Sequence, residues 1–311
     1  MAKPVHVQSA TPQCTRVYQS WVIDSTRWNF VRFRPDDIII TTSAKAGTTW
    51  MQGIVANLIF GGEPPVPVGI LSPFLEARGM PLEIVLTGLE GQSSRRFIKT
   101  HLPLDGFPFD PRLKFIYVGR DARDVFMSLW NHHKNYTDRT LALLAGIPGR
   151  VGDLPPQYGD IHDMWRDWMT KASFRWENDG YPYWSHLYHA QSYWDFRGLP
   201  NLLLVHFNDL LADLEPQMRR VAAFLGVKVE EATWPRLVRN CTFEEMKTKG
   251  ANYAPSMGIP WKGGAQTFFN KGTNGRWREV LTAEELAQYE SAASRALTPD
   301  CRKWLENGGP I

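Results

Sequence analysis

The chain has 311 residues, 43% hydrophobic and 13% aromatic, with a formal net charge of +3. That is enough apolar material for a large α/β core, and too little charge, with no clustered basic run, for a protein that coats nucleic acid. Cys14, Cys241 and Cys301 are odd in number and far apart, which fits neither a disulfide framework nor a zinc site and points to a reducing compartment.

The first residues lack the apolar core of a secretory leader, and no apolar run approaches the roughly 18 residues of a membrane span. A soluble cytoplasmic protein is expected. In chain order, Asp37–Ser43 reads as a buried strand, because Ile38, Ile39 and Ile40 are consecutive and β-branched. A turn of small residues follows, and Thr48–Phe60 reads as a helix stopped by Gly61 and Gly62. After a proline-rich connection come a short strand, Phe97–Thr100, and a third strand, Lys114–Val118. A helix starts near Ala122, with Asp121 placed to cap it.

Residues from about 136 to 193 are dense in tryptophan and tyrosine and interrupted by glycine and proline. They read as a helix-containing insertion that covers a pocket, or equally as a satellite core. Leu202–Phe207 reads as a fourth strand and Leu214–Leu225 as a helix ended by Gly226. Thr282 and Glu285 form a capping-box pattern for a C-terminal helix. Alternating strands and helices predict one α/β domain over residues 1–311, with a central parallel sheet flanked by helices. Ligands in such folds sit at the carboxyl ends of strands. Lys45, Lys99 with His101, Arg120 and the segment after Phe207 all fall there.

The turn Ser43-Ala44-Lys45-Ala46-Gly47-Thr48-Thr49 is P-loop-like: backbone N–H groups at a helix N-terminus await an anion. It departs from G-x-x-x-x-G-K-[ST], since Thr48 follows Gly47 and the lysine comes early, on the strand side. A P-loop kinase or NTPase is the rival reading. It needs a lysine next to Gly47 and an acidic strand end for Mg²⁺, for which Asn208 with Asp209 is the nearest candidate. On an extended segment, positions 99 and 101 face the same side, bringing a cation and an imidazole base over one site. His132 and His133 are adjacent, cannot share a metal as an i, i+4 pair would, and read as structural or pocket-lining.

Taken together, these motifs resemble those of the cytosolic-type sulfotransferases, which use 3′-phosphoadenosine 5′-phosphosulfate (PAPS) and release 3′-phosphoadenosine 5′-phosphate (PAP). Thr42–Trp50 is similar to the family loop T-Y-P-K-S-G-T-T-W, Lys99–Pro103 is its K-T-H-L-P intact, and Phe115–His132 matches its 3′-phosphate strand and helix. Asn270–Arg278 is an altered form of R-K-G-x-x-G-D-W-K, and Ser72–Arg78 resembles an acceptor-side segment.

The resemblance implies in-line sulfuryl transfer to a small hydroxylated acceptor, without a metal. It assigns catalysis to His101 as general base and to Lys45, Lys99 and Ser128. The implied cradle for the 5′-phosphate runs through Lys45, Ala46, Gly47, Thr48, Thr49 and Trp50. The 3′-phosphate falls to Arg120, Ser128, Asn270, Lys271 and Gly272. Adenine falls to Trp50 and Phe243, with Phe207, Cys241, Thr242 and Met246 alongside. Phe74, Lys99 and His101 would face the acceptor. The chain departs from the family at Asn270 (usually arginine), Phe207 (tyrosine), Cys241 (threonine) and Ala46 (serine), and Arg276, in the region of the family's aspartate, is placed to compensate for the charge that Asn270 lacks. The family's dimerisation pattern is not matched after Arg278, so the oligomeric state is left open.

Overall fold

A computed structural model describes residues 11–63, 67–253, 261–264, 267, 269 and 271–311. Four strands form one parallel sheet: β1 (Ile38–Thr42), β2 (Phe97–Thr100), β3 (Lys114–Gly119) and β4 (Leu202–His206), in the order β2-β1-β3-β4. The register aligns Thr41 with Thr100 and Tyr117, and Gly119 with His206, so the strands finish level.

Every residue of β1 is buried, as a central strand covered on both faces requires. Successive side chains enter opposite layers. Ile38 and Ile40 pack with Ile116, Val118 and Val205 against α1 (Thr48–Phe60) and its neighbours. Ile39 joins Ile98, Phe115, Tyr117 and Leu204 in the other layer.

Helix α1 ends at Gly61, whose φ of 70° is a left-handed stop. Helix α2 (Ala122–Lys134) follows β3, and Asp121 caps it by accepting the Arg123 N–H. The capping box of Thr282 and Glu285 is formed in full at the start of a helix over Ala283–Ala296. Three strands differ in extent from the sequence expectation. Strand β1 is shorter by a residue at each end, β3 runs one residue further, to Gly119, and β4 stops at His206. The His206 side chain accepts the Asn208 N–H and so starts a helix over Phe207–Ala212, which turns Phe207 out of the strand.

The aromatic-rich stretch contains helices Asp138–Ala145, Ile161–Thr170 and His186–Trp194 joined by irregular segments. Trp165 and Trp168 lock onto Phe126 of α2 in the core, with ring centroids 4.8 and 5.4 Å away. At the amino end of the sheet, Arg96 and Asp37 form a buried ion pair, Nε to Oδ1 2.9 Å and Nη2 to Oδ2 2.5 Å. No helix among the described residues is long and apolar enough to cross a membrane.

Candidate active site

The carboxyl ends of β1, β2 and β3 open into one cavity of about 340 Å³. After β1 the chain turns sharply. Lys45 takes a left-handed φ of 65°, and Gly47, at φ 120°, lies against Phe207 and Val118, where an added Cβ would come within 3.1 Å of the Phe207 ring. Gly47 also precedes α1 without a side-chain cap, so the first-turn amides of α1 have no competitor for an incoming anion. Thr42 and Thr48 tie the two ends of the turn, hydroxyl to hydroxyl, at 2.5 Å.

Lys45, Gly47, Thr48, Thr49 and Trp50 line this end of the cavity. Ala46 does not: it is fully buried beneath the turn, and its N–H closes the turn on the Ser43 carbonyl. From β2 come Lys99 and His101, both on the cavity wall. The His101 Nδ1 lies 2.8 Å from the Thr42 carbonyl. A carbonyl only accepts, so Nδ1 carries the proton and Nε2 keeps its lone pair. Phe74 meets the imidazole edge-on at 4.7 Å and Trp184 lies nearly parallel to it at 5.9 Å. The same Phe74 ring sits 5.3 Å from the Lys99 ammonium.

The electrostatics follow from burying several cations together. Burial, with Arg120 and Lys99 nearby, drops Lys45 to about 7. Burial lowers Lys99 to about 8 against the opposing pull of Glu76. Burial and Lys99 push His101 down to about 3, so the imidazole is neutral at ordinary pH. Sequence reasoning missed Glu76. Its fully buried carboxylate accepts from the Thr100 hydroxyl (2.8 Å), the His101 amide (2.6 Å) and the Trp28 indole (3.0 Å), fixing the chain on both sides of the reactive segment. The only advance signal was an acidic residue inside the otherwise apolar run Pro73–Leu75, Ala77.

Beyond β3, Arg120 is buried and lies 4.0 Å over the Phe207 ring. Its Nε and Nη2 reach the Asn274 Oδ1 at 3.0 and 2.7 Å, and its Nη1 reaches the Lys45 carbonyl at 3.1 Å. Ser128 and His132 are four residues apart on α2, so they share the face that lines the cavity. Phe207, Phe243, Met246, Lys271 and Gly272 complete this side. Gly272, at φ 66°, sits so close to Phe243 that a Cβ would lie 2.6 Å from the ring.

Cys241 and Thr242 are not on the cavity. The Cys241 thiol is buried and its carbonyl accepts the Trp50 indole N–H at 2.8 Å, which fixes the Trp50 plane. The Thr242 hydroxyl caps a helix over Phe243–Thr248. Asn270 lies outside the described residues. The opposite wall is apolar and was only partly foreseen. Tyr136, Leu144, Ile147, Tyr183 and Trp184 come from the aromatic-rich stretch, and Trp21, Met80 and Trp261 join them from elsewhere.

The site thus combines anion-binding groups on one side, flat aromatic walls around them, a neutral imidazole at the centre and an apolar chamber beyond. A family profile described as "Sulfotransferase domain" matches residues 35–299. A glycolipid sulfotransferase of Mycobacterium bovis (strain BCG / Pasteur 1173P2) is 31% identical, over 97% of this chain and 98% of its own. Sulfotransferase 1A1 of Rattus norvegicus is 27% identical, over 86% of each. Two solved structures share the fold: mouse sulfotransferase SULT7A1 complexed with PAP (TM-score 0.70, 18% identity, 96% of this chain and 98% of that one) and retinol dehydratase with retinol and PAP (TM-score 0.68, 24% identity, 88% and 84%). With the strand-end site, the match along most of its length and a full-length relative above thirty per cent identity in agreement, this chain belongs to the sulfotransferase family, and it is an enzyme of that kind.

Proposed function

We propose that the chain transfers the sulfuryl group of PAPS to a hydroxyl, or an amine, of a small acceptor with an apolar or aromatic body. The observation that carries this is the His101–Thr42 contact: it leaves an unprotonated Nε2 in the same cavity as Lys45 and Lys99. PAPS, when bound, supplies an activated sulfuryl group on a phosphate leaving group. The residues present fit it. The first-turn amides of α1, with Lys45, Thr48 and Thr49, offer donors for a 5′-phosphate. Ser128, Lys271 and Gly272 offer them for a second phosphate, with the Arg120 charge beside them, and Trp50, Phe207 and Phe243 offer flat faces for a purine.

In this reading His101 Nε2 takes the acceptor's proton as the new S–O bond forms, and the Thr42 carbonyl steadies the imidazolium through Nδ1. Lys45 meets the negative charge that grows on the departing phosphate oxygen, and Lys99 stabilises charge around the transferring group. A sulfuryl group carries less charge than a γ-phosphate, so the lysines suffice as the counter-charge. The stretch 136–193 belongs to the same domain and walls the acceptor chamber with Tyr136, Tyr183 and Trp184. The glycolipid acceptor named for the mycobacterial relative is of the apolar-bodied, hydroxyl-bearing kind that this chamber suits. The three free cysteines agree with action in the reducing cytoplasm.

The test is PAP release from PAPS across phenols, steroids, aliphatic alcohols and glycolipids. Turnover with at least one class is expected. A titration giving tighter binding of ATP with Mg²⁺ than of PAP would replace this reading by the kinase one.

A further inference from the structure

We infer that Arg276 is the guanidinium that recognises the nucleotide's 3′-phosphate in this chain, a role that rests on the PAPS reading above. The argument starts from how Arg120 is spent. Its Nε–Nη2 edge, the one that would grip a phosphate at two points, is filled by the side-chain oxygen of Asn274, and its Nη1 holds the Lys45 carbonyl. Arg120 therefore reads more as the brace joining the β1 turn to the 273–275 turn than as a fork open to a ligand.

Arg276 is built differently. It begins a short 3-10 turn, Arg276–Glu279, and lines the cavity together with Ser128, Lys271 and Gly272. The turn is pinned from both ends. The Gly275 N–H donates to Asp124 Oδ1 at 2.7 Å, and the next residue, Trp277, is gripped by Arg123 at 4.1 Å and Arg278 at 4.8 Å from its ring centre. The backbone that carries Arg276 is thus fixed to the first turn of α2, on the cavity wall. Its Nε is buried and has no hydrogen-bond partner among the described residues, so a donor is held out of water with nothing to donate to.

The charge balance points the same way. Arg276 is close enough to Arg120 to disfavour its charge, and Asp124 is the carboxylate that favours both. The neighbouring Asp121 is already taken, bidentate, by Arg123 at 2.9 and 2.6 Å. With Lys271 on the same wall, three cations face one carboxylate around one end of the cavity, an excess suited to a dianion such as a phosphate monoester. A side chain of the opposite sign at position 276 would cancel it.

The inference is tested by calorimetric binding of PAP and of adenosine 5′-phosphate, which lacks the 3′-phosphate, to the full chain and to Arg276→Ala. The expected result is PAP binding weakened about 10- to 100-fold, the range for a hydrogen bond to a charged group, with adenosine 5′-phosphate unchanged. Arg276→Gln, which keeps the aliphatic stem and a polar tip but removes the charge, is expected to behave alike with an unaltered unfolding midpoint, and it stands in should the alanine variant not fold. If both nucleotides weaken equally, or the preference for PAP survives, Arg276 does not read the 3′-phosphate and the inference falls alone. If the unmodified chain itself does not prefer PAP, the PAPS reading falls with it.

Discussion

The imidazole of His101 donates from Nδ1 to the carbonyl oxygen of Thr42, the last residue of β1, across 2.8 Å. The neighbouring strand's backbone thereby selects the tautomer whose Nε2 accepts a proton. Replacing His101 by Ala removes that acceptor and leaves the phosphate-binding groups in place. Turnover is expected to fall about 10²- to 10⁴-fold, the usual worth of a general base. PAP affinity measured by calorimetry should stay within a few-fold. Turnover near the unmodified level would remove His101 from the base role.

The lysines give a pH dependence of defined sign. Lys45, near 7, and Lys99, near 8, are both depressed from 10.5 by burial. Across the window from about 7 to 10.5 the unfolded chain binds protons that the folded, empty site has released, so these two groups make stability rise with pH there. A bound phosphate favours their charged forms and reverses the balance. From about pH 7 upward PAP affinity should fall progressively, as first Lys45 and then Lys99 lose their charge. At pH 8, binding should take up protons, seen as a dependence of the calorimetric heat on buffer ionisation enthalpy.

Glu76 acts on both members of the Lys99–His101 pair. Glu76→Ala strands three donors, the Thr100 hydroxyl, the His101 amide and the Trp28 indole. A loss of about 2–5 kcal/mol in urea unfolding is expected. Glu76→Gln retains an oxygen for Thr100 and His101 but removes the charge that holds the Lys99 pKa up. Lys99 then loses its proton at lower pH, and the alkaline limb of the pH–rate profile should move in the acid direction.

Arg96 and Asp37 sit at the amino end of the sheet, away from the chemistry. Arg96→Ala leaves a buried carboxylate without its partner and should cost about 3–5 kcal/mol. Turnover per folded molecule should not change, which a denaturation curve and an assay on the same preparation would check.

Gly272 is held at φ 66° with Phe243 packed against its Cα. Gly272→Ala drives a methyl into that ring and disfavours the backbone conformation by about 1–2 kcal/mol. PAP affinity should weaken about tenfold or more, while the melting temperature moves little, because the segment is at the surface of the cavity and outside the sheet.

The parts of this fold legible in the sequence were those written locally. Three consecutive isoleucines announce a strand covered on both faces, and Thr282 with Glu285 announces a helix start. The strand-end rule then drew Lys45, His101 and Arg120 to one place before any coordinates did. What stayed hidden depends on partners distant in the chain. Nothing near Glu76 says that Trp28 and His101 will converge on it, and nothing near Arg120 says that Asn274 will occupy its fork. Ala46, Cys241 and Thr242 sit in the right segments, yet each is committed elsewhere: to closing a turn, to orienting Trp50 and to capping a helix. Motif spacing cannot separate a residue that faces the cavity from one that holds its neighbour there.

The strand order β2-β1-β3 sets a metric for the site. His101, Lys45 and Arg120 follow three laterally adjacent strands, and such strands are about 4.8 Å apart, a distance set by backbone hydrogen bonds and indifferent to side-chain identity. The sheet edge is a ruler with fixed graduations, and the segments carrying an imidazole, an ammonium and a guanidinium leave it from successive marks. Side-chain substitution can change what stands on a mark, but moving the marks would require unmaking the sheet.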